Sequence, residues 1–139
     1  MEFKFDKRKI MKEKEEGLKL NLDFTKVKKI AVIEEDFIPV AVQNIETGKV
    51  LFVAYANHEA LAYSLNNNIA AFWSTTRNEL WVKGATSGDV LNLIEVRINC
   101  DQNSLLYLVI PKNENACHTN RPTCYYRKIN SNQMEFIYG

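Results

Sequence analysis

Two of the chain's three cysteines and one of its two histidines fall in one short run, ENACHTNRPTCYYR, at residues 114–127. Cys100 stands 17 residues before Cys117, and Cys124 follows 7 residues after it, giving C-x16-C-x6-C with His118 directly behind Cys117. Such a cluster can be a disulfide, a metal centre, or a loop with no chemistry. Three cysteines cannot all pair within one chain, and thiols stay reduced in the cytosol, which weakens the first. Structural zinc closes its shell with four protein ligands, whereas catalytic zinc holds three and leaves one position for water. Three thiolates without a fourth cysteine match the second arrangement, in which the metal lowers the pKa of its water to about 7. His118 either completes the shell or stands beside it as a general acid–base, a role suited to an unperturbed pKa of about 6.5. Neighbouring side chains of an extended segment point to opposite sides, so Cys117 and His118 bind one ion awkwardly and the acid–base role is favoured. The spacing is not that of a paired zinc finger, and three inert cysteines beside a surface histidine also fit it.

A second oxygen-rich run, NCDQN at 99–103, flanks Cys100. If extended, it puts Asn99, Asp101 and Asn103 on one face, where three side-chain oxygens can hold a hard cation such as Mg2+. Only one of the three is a carboxylate. Taken alone, the run reads as a turn rather than a cation site, because Asn and Asp favour turns.

Strands and turns must position these residues. At 139 residues, with 46% apolar and 25% charged side chains, the chain is expected to be a single globular domain. A net charge of +1 argues against bulk electrostatic binding of nucleic acid or anionic membrane. The longest apolar runs, VLFVAYA and LLYLVI, are far too short to span a bilayer. The N-terminus lacks the apolar stretch of a signal peptide, so a cytoplasmic location is expected.

Residues 1–26 read as a charged arm or helix, 27–130 as the folded domain and 131–139 as a tail. The pattern predicts strands near 29–33, 38–45, 49–56, 69–74, 79–83, 91–100 and 104–110, with a hairpin turn at Thr47-Gly48. Asn57 predicts a helix N-cap, Glu59 suits the first turn, and the asparagines at 66–68 predict its end. The fold class is mainly β with one or two short helices.

Four stretches in order resemble the phosphoribosyl-AMP cyclohydrolase family of histidine biosynthesis: VLFVAYANHEAL (50–61), FWSTTRNELWVKGATSG (72–88), INCDQNSLLYLV (98–109) and ACHTNRPTCYYR (116–127). The resemblance implies a folded mixed sheet or pseudo-barrel forming an intertwined homodimer. It implies zinc held by Cys100 of one chain with Cys117 and Cys124 of the other, proton transfer by His118, and Mg2+ at positions 99, 101 and 103. The implied reaction is hydrolysis of the N1–C6 bond of phosphoribosyl-AMP. A chain of this length leaves no room for the pyrophosphohydrolase domain that some members carry, so a single activity is expected.

This chain departs from the family pattern in places. Asn99 and Asn103 stand for aspartates, which removes two negative charges and predicts a weakened Mg2+ site. Ala71, Thr75 and Ala85 stand where the family often has His, Arg and Glu, which puts substrate contacts there in doubt. For the two phosphates of a phosphorylated nucleotide, Arg77, Lys83 and Arg127 offer charge, and Ser74, Thr86 and Ser87 offer hydroxyls. Trp73 and Trp81 offer stacking surfaces, or core packing. Two rivals stay open: a related zinc hydrolase or deaminase acting on a different nucleotide, and a non-catalytic zinc-stabilised dimer.

Overall fold

The computed structural model describes residues 7–139. These divide into two compact units, Thr25–Tyr125 and the segment up to Phe24 together with Tyr126–Gly139. Residues 1–6 of the expected arm lie outside the described residues.

In order, the described elements are α1 (Lys7–Glu16), α2 (Lys26–Ala31), β1 (Ile38–Asn44), β2 (Val50–Ala56), α3 (His58–Asn67), β3 (Ala71–Ser74), β4 (Glu79–Val82), β5 (Leu91–Ile98), β6 (Leu105–Pro111), β7 (Arg127–Asn130) and β8 (Gln133–Phe136). The larger unit is built on a mixed four-stranded sheet in the order β2-β1-β6-β5. β1 runs parallel to β6 and antiparallel to β2, and β5 is antiparallel to β6. β3 and β4 form a separate antiparallel hairpin.

The core follows from alternation in the strands. Val40, Val42, Leu51, Leu91, Tyr107 and Val109 are fully buried. Burying a side chain of this size stabilises by about 1.5–3 kcal/mol. Phe72 from β3 bridges hairpin and sheet, with its ring 5.3 Å from Phe52 and 5.5 Å from both Trp81 and Tyr107.

Helix α3 starts where its cap predicts: Asn57 accepts a side-chain hydrogen bond from Ala60 N at 2.9 Å. It ends at Asn68, whose φ of 54° is left-handed. Ser64 is the polar exception inside. Its hydroxyl donates to Ala60 O at 2.8 Å and accepts from Ala71 N at 2.9 Å, with Tyr107 Oη 3.3 Å away. Burial raises the Tyr107 pKa, and the Ser64 hydrogen bond partly opposes this.

Three expectations are corrected. Residues 29–33 do not form a strand; most of that stretch lies in α2. Its Val27, like Val32 just beyond, is exposed, so no half-buried pleated surface exists to reward β-branched residues. That gives three helices among the described residues rather than one or two. The residues expected as a tail contain β8, paired with β7 across the turn at Ser131, whose φ is 59°. This hairpin joins α1 in the smaller unit, where Arg127 donates to Lys14 O and Gly17 O, both at 2.8 Å, and so satisfies carbonyls at the helix end.

Candidate functional site

The turn closing β5 onto β6 carries Cys100. Asn99 N donates to Ser104 O at 3.2 Å, and Gln102 takes a left-handed φ of 54°. The run 99–103 is therefore not extended, and Cys100 is an exposed turn residue rather than the end of a strand. Asn99 Oδ1 accepts from the backbone N–H of Asn103 and of Ser104, each at 2.9 Å. Asn99 Nδ2 donates to Asn103 Oδ1 at 2.7 Å. Both amide oxygens expected to face a cation are spent closing the turn, which leaves the exposed Asp101 carboxylate.

Cys117 leaves from the other end of this hairpin, beyond Pro111, which pairs with Leu91. The seven residues of β6 at about 3.3 Å each separate the two ends by about 20 Å. Cys117 is buried in a tight turn: its N donates to Arg121 O and its O accepts from Asn120 N, both at 2.9 Å. Thr119 Oγ1 donates to Cys117 Sγ at 3.1 Å. Asn120 supplies the left-handed φ of 64° that the turn needs, and Asn115 Nδ2 braces its side chain at 3.1 Å. The CHTN segment is thus a turn and not extended; Cys117 is buried and His118 exposed because of that turn, not through strand alternation. Cys124 is tied to the sheet by its N donating to Leu51 O at 2.9 Å, and Thr123 Oγ1 donates to Val50 O at 2.7 Å. None of the cysteines is in a disulfide, and among the described residues of one chain no group of three or more His, Cys, Asp or Glu could hold a metal ion.

His118 and Cys117 line an open cavity of about 310 Å3 together with Asp89, Glu114 and Asn120. Asp89 closes the loop that begins at Lys83. Gly84 has a φ of +77°, and a Cβ there would stand 2.2 Å from the Asp89 carbonyl carbon, so only glycine fits. Gly88 N returns to Gly84 O at 2.8 Å, and Ser87 Oγ accepts from Asp89 N at 3.3 Å. Lys83 is buried, with its ammonium 6.0 Å from the centre of the Phe52 ring and no ion pair among the described residues. Thr86 and Ser87 are exposed on the loop.

Trp73, Ser74 and Arg77 are not among the residues that line this cavity. Trp73 donates through Nε1 to Asn78 Oδ1 at 3.0 Å. Ser74 caps the following turn by accepting from Arg77 N at 3.2 Å, and the exposed Arg77 pairs with Glu79 at 3.4 Å. Trp81 packs on Phe72 and Phe52, so the core reading holds for it. Arg127 belongs to the smaller unit, with its guanidinium engaged as described above. Sequence reasoning missed Asp89 and Glu114, which fold topology brings to His118, and Lys26, whose Nζ donates to Thr75 Oγ1 at 3.0 Å from 49 residues away.

The family model described as phosphoribosyl-AMP cyclohydrolase matches residues 52–126, more than half of the chain and all of the cavity just described. This chain belongs to the phosphoribosyl-AMP cyclohydrolase family. It is 45% identical over 101 residues to the phosphoribosyl-AMP cyclohydrolase of Archaeoglobus fulgidus, covering 73% of this chain and 93% of that protein. It is 44% identical to the phosphoribosyl-AMP cyclohydrolase of Chlorobium chlorochromatii, over 68% of this chain and 69% of the relative. The match to the histidine biosynthesis bifunctional protein HisIE of Aquifex aeolicus is 40% identical, over 77% of this chain but 52% of the relative, so the chain spans about half of that longer protein. The family match covers Cys100, Cys117, His118 and Cys124, and it excludes α1, α2, β1, β7 and β8.

Proposed function

We propose that this chain opens the purine ring of phosphoribosyl-AMP by hydrolysing its N1–C6 bond, as a step of histidine biosynthesis in the cytoplasm. The observation that carries this is the joining of Cys117 and His118 in one cavity, bordered by the loop that starts at Lys83, inside the residues that match the family. The exposed His118 can reach a bound substrate, and its imidazole can take a proton from the attacking water and return one to the leaving N1 nitrogen. Lys83 offers an ammonium with no competing carboxylate, and the loop from Lys83 to Asp89 adds the Thr86 and Ser87 hydroxyls. Trp73 and Ser74 belong to the substrate surface in this reading. Arg77 adds charge at its margin.

The donor set suits zinc. Three cysteines stand outside any disulfide, and the Thr119 hydroxyl donates to Cys117 Sγ. Thiolates sharing a zinc ion each lie about 2.3 Å from it, and among the described residues of one chain no such group is gathered. The reading therefore pairs Cys117 and Cys124 with Cys100 of a second copy, in a homodimer. When bound, zinc supplies a Lewis acid that activates water at neutral pH. The 99–103 turn does not fit Mg2+, because Asn99 and Asn103 satisfy each other and the backbone.

The test is zinc content per chain, oligomeric mass, and turnover of phosphoribosyl-AMP beside a panel of other purine nucleotides. The expected result is a dimer with about one zinc per chain, and ring opening that Cys117→Ser abolishes. A zinc-loaded dimer that leaves phosphoribosyl-AMP intact rejects the proposal, and turnover of another nucleotide in its place identifies the drifted substrate.

A further inference from the structure

A second cavity, of about 190 Å3, lies in the larger unit and is lined by no cysteine, histidine or acidic residue. Lys26, Tyr55, Trp73, Ser74, Thr75 and Thr76 are among the residues lining it. Lys26, the first residue of α2, donates to Thr75 Oγ1 at 3.0 Å and forms no ion pair among the described residues. Its ammonium keeps further N–H donors. Ser74 Oγ and Thr75 Oγ1 each have a lone pair engaged, by Arg77 N and by Lys26, and each keeps its O–H to donate. The rim thus presents a cation and hydroxyl donors with no carboxylate to neutralise them, which is the chemistry that holds an oxyanion. Trp73 adds a flat wall, its indole fixed by the bond to Asn78.

We propose that Lys26, with the Ser74, Thr75 and Thr76 hydroxyls, forms a subsite for a phosphate monoester on a sugar, the sugar resting against Trp73. The subsite rests on the reading of the chain as acting on phosphoribosyl-AMP and would hold one of that substrate's two phosphoribosyl ends. Lys26 precedes the residues that match the family, so nothing in that match assigns it.

Both tryptophans of the chain line this cavity, so intrinsic fluorescence reports on it. Titration of the full chain with ribose 5-phosphate is expected to give a saturable change, which inorganic phosphate competes away. Lys26→Gln is expected to weaken that binding about tenfold with an unchanged melting profile, and Thr75→Val to weaken it less. In turnover, Lys26→Gln should raise KM for phosphoribosyl-AMP about tenfold with kcat held within about twofold, as loss of uniform binding does. No saturable change at millimolar ribose 5-phosphate, or one that survives Lys26→Gln, overturns the subsite. Ordinary turnover with unchanged KM in Lys26→Gln overturns it and leaves the functional reading intact. Lys26-dependent binding of ribose 5-phosphate by a chain inert towards phosphoribosyl-AMP does the reverse.

Discussion

His118 is exposed in a cavity that Asp89 and Glu114 also line, while the preceding Cys117 is buried in the same turn. The two neighbours therefore have separable roles. Replacing His118 with Ala should remove proton transfer alone, lowering kcat by about 10²–10⁴-fold with zinc content and melting temperature unchanged. Full activity in that variant would show that the proton moves by another route. The 99–103 turn allows a second test at single residues. With Asn99 and Asn103 each changed to Asp, the amide donor that locks Asn99 to Asn103 is gone and two charges are added beside Asp101. The double variant should bind Mg2+, seen as a Mg2+-dependent rise in melting temperature, whereas the natural chain should show none. A Mg2+-dependent rise in the natural chain would mean that the turn reopens around the ion.

At the scale of elements, the loop after β4 shows how a turn positions chemistry. Gly84 is held at positive φ against the Asp89–Val90 peptide, which aligns Lys83 at one end and Asp89 at the other. Gly84→Ala adds a Cβ where 2.2 Å is available, so it should destabilise by about 1–3 kcal/mol or more and lower the melting temperature by at least about 3 °C. An unshifted melt would mean that the loop relaxes without strain.

What could be read from the sequence depended on the range of the signal. Asn57, Thr47-Gly48 and the alternation in 38–56 report on contacts a few residues away, and those elements stand where the pattern puts them. Residues 29–33 carry β-branched side chains, yet strand pairing needs a neighbour that no local pattern supplies. The β7–β8 hairpin had a usable sign in Ser131-Asn132, a two-residue polar turn between Asn130 and Gln133 with Ile129 and Met134 beyond them. Cys117 and His118 were legible as chemistry, but the left-handed Asn120 that makes their turn was not, and Lys26 reaches Thr75 only through the fold.

At the scale of the whole molecule, Cys100 lies in the turn between β5 and β6 while Cys117 and Cys124 lie between β6 and β7, and among the described residues of one chain they form no metal-holding group, so the proposed zinc centre would draw on two chains. That division makes a prediction that a site within one chain does not share. Cys100→Ser and Cys117→Ser should each be inactive alone, because every site in either homodimer lacks a thiolate. In a mixed dimer the two sites differ: one combines both substitutions, while the other takes its intact Cys100 from one subunit and its intact Cys117 and Cys124 from the other. Co-expression from differently tagged copies, followed by purification through both tags, isolates that mixed dimer. It should carry one working site of two, and so recover about half of the natural activity and zinc content. An unselected mixture, half of it mixed dimers, should recover about a quarter. Zinc retained by either variant alone at the natural level would show that its cysteine is no ligand, and a mixed dimer as inactive as its parents would place all the ligands within one chain; either result removes the shared centre.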